Sequence, residues 1–252
     1  MTDKGIQVLV RSHCGYPARL TELLGEDAPP VLYAAGSLSI LDKCSIGIGG
    51  SRMASEGGIR LTDKVARGLT RSDINVVSGN AAGVDSAAHF AALDSGGTTT
   101  LVLAEGILNF RPKSPIGESL SDGNYVVVSE FLPGTRWAAH NAMQRNRTIL
   151  GLSACFVAVE PGIDGGTFDA STNALRLGLP LFVLENDGVS ANAPGTQHFL
   201  SRGAIAIRPG PDGDVDVGTL VSIARRPPET PQPMEAGLLF PGAVKPRARK
   251  RA

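Results

Sequence analysis

Residues 45–58 read SIGIGGSRMASEGG. An apolar run stops at Gly49 and Gly50, Ser51 and Arg52 follow, and a helical pattern opens at residue 56. A short apolar run closed by glycines and followed by a helix reads as the start of a βα unit. The pattern recurs along the chain. Runs rich in Val, Ile and Leu fall at 46–49, 75–78, 100–104, 125–129, 155–159, 180–184 and 204–207, and helical patterns at 56–70, 84–95, 138–152 and 168–178 lie between most of them. Continuous apolar strands alternating with helices predict a parallel sheet covered on both faces. The fold class is therefore α/β: an extended Rossmann-like, doubly wound, mostly parallel sheet flanked by helices. Ligands of such sheets bind beyond the carboxyl ends of the strands.

Around this core, residues 1–44 read as a short N-terminal lead-in with a small helix and an extended segment, and 45–208 as the Rossmann-like domain. Residues 209–252 are dense in proline and read as a flexible tail. Its terminal Lys245, Arg247, Arg249, Lys250 and Arg251 would add a nonspecific phosphate contact. Formal net charge is zero over 252 residues, so no global field draws the chain to nucleic acid or membrane, and any anion site must be a local cluster. The three cysteines lack CxxC spacing and the four histidines lack metal-ligand spacing. Reduced thiols in a cytoplasmic protein, with no metal and no cofactor, are expected. No apolar run approaches the roughly 20 residues that span a bilayer, and the N-terminal apolar stretch is too short for a signal peptide.

Four strand-end turns carry the residue types for chemistry. After 46–49, glycines let the backbone approach a ligand, Ser51 offers a hydroxyl and Arg52 a planar fork of donors. The following helix would add its positive end. The same glycines fit a turn needed only for packing, and the stretch is not GxGxxG, so a dinucleotide site is weakly supported. In VVSGNAAGVDSAAHFAAL (76–93), Ser78 and Gly79 end a strand, and Asp85 and His89 share one helix face. They fit either acid–base work or a helix-start aspartate beside a packed histidine. In QRNRTILGLS (144–153), Arg145, Asn146 and Arg147 are consecutive. On an ideal helix the two arginines face different ways, so both reach one strip of phosphates only through a local break or fanned side chains. A solvated charged face is the plainer reading. In AVEPGIDGGTFDAS (158–171), Gly165, Gly166 and Thr167 at a helix start fit a nest of N–H donors or simple capping. Two anion-friendly turns and two arginine sources on one sheet argue for an extended polyanion.

Together with YPARL (16–20), PPVLYAAGSL (29–38), GGTTTLVLAEG (96–106), VVSEFLPGT (127–135), LGLPLFVL (177–184) and GTQHFLSRGA (195–204), these stretches resemble the DNA-processing protein A (Smf) family over about residues 15–207. The resemblance implies single-stranded DNA binding without catalysis, protection of incoming DNA in natural transformation, loading of a RecA-type recombinase, and a homodimer. It places the DNA/phosphate pocket at Gly50, Ser51, Arg52, Ser78, Gly79, Arg145, Asn146 and Arg147, with Gly165, Gly166 and Thr167 nearby and Lys113 in the loop after the third strand.

The chain departs from the family pattern. Ala82 stands where an arginine is usual and Asn80 where a leucine is usual, and Ala142-Met143 replaces the Phe-Pro before the arginines. Losing one charge-assisted phosphate contact removes about 1.5–3 kcal/mol. Neither a winged-helix pattern nor a helical N-terminal domain accompanies the core. Aromatic residues are 5% of the chain, so phosphate contacts rather than stacking should dominate binding. Two other functions remain open: a nucleotide-binding or nucleotide-hydrolysing protein using Glu160 or Asp85, and a partner-binding regulator of antitoxin or antiphage type.

Overall fold

The computed structural model describes residues 5–185 and 193–226. The chain enters through β1 (Gln7–Val10), α1 (Ala18–Leu24) and β2 (Val31–Gly36). It continues through β3 (Ser45–Gly50), α2 (Glu56–Arg71), β4 (Asn75–Gly79), α3 (Val84–Asp94), β5 (Thr99–Val102), α4 (Ile116–Ser119) and β6 (Tyr125–Ser129). The second winding is α5 (Ala139–Gly151), β7 (Phe156–Val159), α6 (Gly165–Arg176), β8 (Leu181–Leu184), α7 (Pro194–Leu200) and β9 (Ile205–Ile207), followed by α8 (Gly218–Ala224).

One nine-stranded sheet results, in the order β1-β2-β6-β5-β4-β3-β7-β8-β9. Every pairing from β6 to β9 is parallel; β1–β2 and β2–β6 are antiparallel. The Rossmann-like expectation is met. From β3 the strands step outward to β6, and α5 then carries the chain back so that β7 pairs with the other edge of β3, with Gly50 opposite Val159. That reversal sets the crevice described below.

Alternation along the strands divides the core in two. Ile46, Ile48, Val157 and Val159 point to the face covered by α2, α3 and α8, where Leu61, Val65, Leu69 and Ala88 meet them. Phe156 and Ala158 point to the opposite face, against Ile149, Leu150, Ala170, Ala174 and Phe199. Gly47 and Gly49 lie on that second face, where Phe156 and, at Gly47, Ser153 leave no room for a side chain: a β-carbon on Gly49 would come within 2.8 Å of the Phe156 ring. Part of the glycine signal in 45–58 is therefore packing.

The expected boundaries differ at both ends. The lead-in is joined to the sheet through β1 and β2, with Tyr33 opposite Ser129. Leu20 and Leu24 of α1 share the core of Ile149 and Phe156, and α1 comes so close to α5 that a β-carbon on Gly151 would lie 2.6 Å from Leu20 Cδ2. Beyond 208, the described residues up to 226 continue the fold. Leu220 and Ala224 of α8 are buried beside Leu69 and Val65, Lys64 Nζ donates to the Gly213 carbonyl at 2.5 Å, and Arg225 donates to the Ser72 carbonyl at 2.9 Å. Prolines and glycines conceal this segment from periodicity, although the short helix within it buries an apolar face. Residues 227–252, including the basic end, lie outside the described residues.

Among the described residues no helix is long and apolar enough to cross a membrane, and no group of three His, Cys, Asp or Glu side chains could hold a metal ion.

Candidate functional site

Beyond the carboxyl ends of β3 and β7, at the point where the winding reverses, lies a cavity of about 550 Å³. Its walls come from the β3–α2 turn, the loop before α3 with the first turn of that helix, α5 with Trp137 two residues before it, Glu160, and the first turn of α6. Four helices begin around it, α2, α3, α5 and α6, and the positive ends of α2, α3 and α6 are not equally available.

The start of α2 is closed from within. Ser55 caps the helix, its hydroxyl accepting from the Gly58 N–H at 3.0 Å. Glu160 Oε2 accepts from the Ser55 N–H at 2.8 Å, and Oε1 accepts from the Ser55 hydroxyl. Glu160 holds a left-handed backbone, φ 49°, which is uncommon for a residue with a β-carbon. This backbone accompanies a carboxylate that already occupies the anion position at the helix start. The expected phosphate site on α2 is thus filled by the protein's own carboxylate.

The start of α3 has no side-chain cap, and its first-turn carboxylate turns back to the preceding loop. Asp85 Oδ2 accepts from the Ala81 N–H at 3.2 Å. His89 does not meet this carboxylate. It is buried, with Nε2 2.6 Å from the Gly79 carbonyl and Nδ1 2.6 Å from the Thr99 hydroxyl. A carbonyl only accepts, so Nε2 carries the proton. Burial pushes the His89 pKa down, against the opposing pull of the Gly79 hydrogen bond and Asp85. The pair is a helix-start aspartate and a packed histidine.

The start of α6 is open. Gly165 and Gly166 are exposed, no side chain caps the first turn, and nothing lies within 4 Å of a β-carbon at either glycine. These glycines belong to the first helical turn, so their N–H groups are among those that an α-helix leaves without partners. The helix starts three residues before the expected 168. Asn146 Nδ2 donates to the Gly166 carbonyl at 3.1 Å and to Asp169 Oδ2 at 3.3 Å, tying α5 to this turn.

Arg145 lines the same cavity and is 6% exposed. Its Nε and Nη1 are buried with no hydrogen-bond partner among the described residues. Burial pushes its pKa below the usual guanidinium range, with Asp85 and Glu105 opposing the shift. A buried guanidinium with unmade donors costs free energy, roughly 1–3 kcal/mol per unsatisfied group and more when charged. Arg52 is exposed at the mouth, with its guanidinium carbon 5.6 Å from the centre of the Trp137 ring.

Of the residues expected in the pocket, the structure brings Gly50, Ser51, Arg52, Arg145, Asn146, Gly166 and Thr167 to one cavity, with Gly165 adjoining. Four stand apart. The Ser78 hydroxyl is buried and donates to the Ile48 carbonyl at 2.6 Å, a tie between strands. Gly79 backs onto the Arg145 guanidinium and does not line the cavity. Lys113 donates to the Asn80 carbonyl at 2.6 Å, and burial pushes its pKa down. Arg147 pairs with Asp27 at 2.9 Å on the far side of α5, which runs unbroken through 139–151. No local break turns the two arginines to one side.

Trp137 was not anticipated. It lines the cavity and is 53% exposed. The sequence signal was a lone tryptophan in a polar turn shortly before the arginines.

A family model described as DNA recombination-mediator protein A matches residues 7–212. DNA processing protein DprA of Streptococcus pneumoniae is 33% identical over 200 residues, covering 78% of this chain and 69% of that protein. Its crystal structure superposes with a TM-score of 0.71 at 29% identity, covering 81% of this chain and 72% of the other. Protein Smf of Escherichia coli is 30% identical over 194 residues, covering 76% of this chain and 51% of that protein, so the chain spans about half of that relative's length. DNA processing protein A of Helicobacter pylori, solved for its single-stranded DNA binding mode, shares the fold at a TM-score of 0.69 and 24% identity, covering 80% of this chain and 90% of that one. By the extent of the model match and the identity to the pneumococcal relative, the chain belongs to the DNA recombination-mediator protein A family.

Proposed function

We propose that this chain binds single-stranded DNA in the crevice between β3 and β7. The observation that carries the reading is Arg145: a buried guanidinium lining the cavity, with Nε and Nη1 unpartnered among the described residues. A phosphate oxygen accepts from such donors, and the open first turn of α6 and Arg52 add further donors along the same cavity. With zero net charge, attraction comes from this cluster. Ala82, exposed on the loop before α3, supplies no charge there.

The chain acts by binding rather than by catalysis. Both carboxylates that nucleotide hydrolysis would need, Glu160 and Asp85, accept hydrogen bonds from backbone N–H groups. The reading extends to a cytoplasmic homodimer that protects a strand during transformation or recombination and passes it to a RecA-type recombinase; membership of the family supports it.

The test is binding of a single-stranded oligonucleotide across a salt series. Log affinity is expected to fall linearly with log salt, by about 0.7 per phosphate neutralised. A flat slope, or no binding at low salt, overturns the reading.

A further inference from the structure

We propose that the indole of Trp137 is a stacking platform for a nucleobase of the bound strand; this rests on the DNA-binding reading above. Tryptophan carries the largest apolar surface of any side chain and is mostly covered in folded proteins. Trp137 instead stands 53% exposed in the wall of a cavity that also carries Arg52 and Arg145, alongside the carboxylates of Asp85, Glu160 and Asp164. The Arg52 guanidinium, 5.6 Å from the ring centre, holds the indole by a cation–π contact. Met143, also partly exposed, lies in the same lining.

A nucleotide presents a charged phosphate and a planar apolar base side by side. The cavity presents Arg145 donors in its floor and an aromatic ring in its wall. Stacking on an aromatic ring tolerates any base, because every base has a π-face. The strand would be held through its phosphates by Arg145 and the α6 turn, and through one base by Trp137. The low aromatic content of the chain does not bear on this, since one correctly placed ring is enough.

Trp137 is the only tryptophan, so intrinsic emission reports this position alone. The full chain is titrated at low salt with an oligothymidylate and with an abasic deoxyribose-phosphate strand of equal length. The expected result is quenched emission with the base-bearing strand, little change with the abasic one, and about tenfold tighter binding of the former. Read by the anisotropy of a labelled strand, since these variants lack the fluorophore, Trp137→Ala removes that preference, and Trp137→Phe retains most of it. Unquenched emission on binding, or equal affinity for the two strands, overturns the stacking role and leaves phosphate binding standing. Binding of neither strand overturns the DNA reading and the stacking with it.

Discussion

Gly79 makes the space in which Arg145 sits. A β-carbon at position 79 would lie 2.5 Å from Cζ of the Arg145 guanidinium and closer still to Nη1. The end of β4 thus sets the position of a side chain on α5, and Gly79 contributes to the cavity without lining it. Gly79→Ala must move the guanidinium. The expected outcome is a loss of oligonucleotide affinity close to that of Arg145→Ala, about 1.5–3 kcal/mol or roughly 10- to 150-fold, with the melting temperature retained. Retained affinity in Gly79→Ala, measured by fluorescence anisotropy, would show that the guanidinium position is immaterial.

The two arginines of the QRNR stretch separate in the same assay. Arg145→Ala is expected to weaken binding for every sequence alike and to lower the salt slope by about one phosphate's share. Arg147 is exposed and paired with Asp27, so Arg147→Ala is expected to leave affinity within about twofold, as for an ordinary surface pair. Equal losses in the two variants would place the strand across α5 instead of in the crevice.

The sheet was legible because its central strands are apolar on both faces, and the glycine turns marked where each one ends. Ser78 shows the limit of that reading. A serine at a strand end looks available from sequence, yet its hydroxyl turns inward to the Ile48 carbonyl. Helix periodicity correctly set Arg145 and Arg147 on different faces, but it could not say which faced the cavity; that depends on α1 bringing Asp27 to the outer side. The filling of the α2 start by Glu160 was invisible for a related reason. The two residues are 105 apart in sequence and meet only because β7 lies beside β3.

The segment after β9 carries stability that composition concealed. Leu220 is 1% exposed and sits against α2. Leu220→Ala is expected to cost about 2–5 kcal/mol, as buried leucine truncations do. Ending the chain at 208 should lower the denaturation midpoint by more than the point change does. A truncated chain as stable as the full one, by urea titration, would show that α8 contributes nothing.

His89 gives the fold a pH dependence of definite sign. Its ring is buried and burial lowers its folded pKa below the ordinary value of 6.5. Above that value both folded and unfolded chains hold a neutral ring, and its contribution is fully present. As pH falls through 6.5 the unfolded chain takes up a proton that the folded chain refuses, so stability falls until the folded pKa is reached. The slope approaches about 1.4 kcal/mol per pH unit for one proton. His89→Gln keeps a donor for the Gly79 carbonyl but cannot titrate. The wild-type advantage over this variant, from urea midpoints, should therefore shrink between about pH 7 and about pH 5. A constant difference across that range would mean that His89 titrates alike in both states, which requires the buried ring to accept a charge between Thr99 and the Gly79 carbonyl.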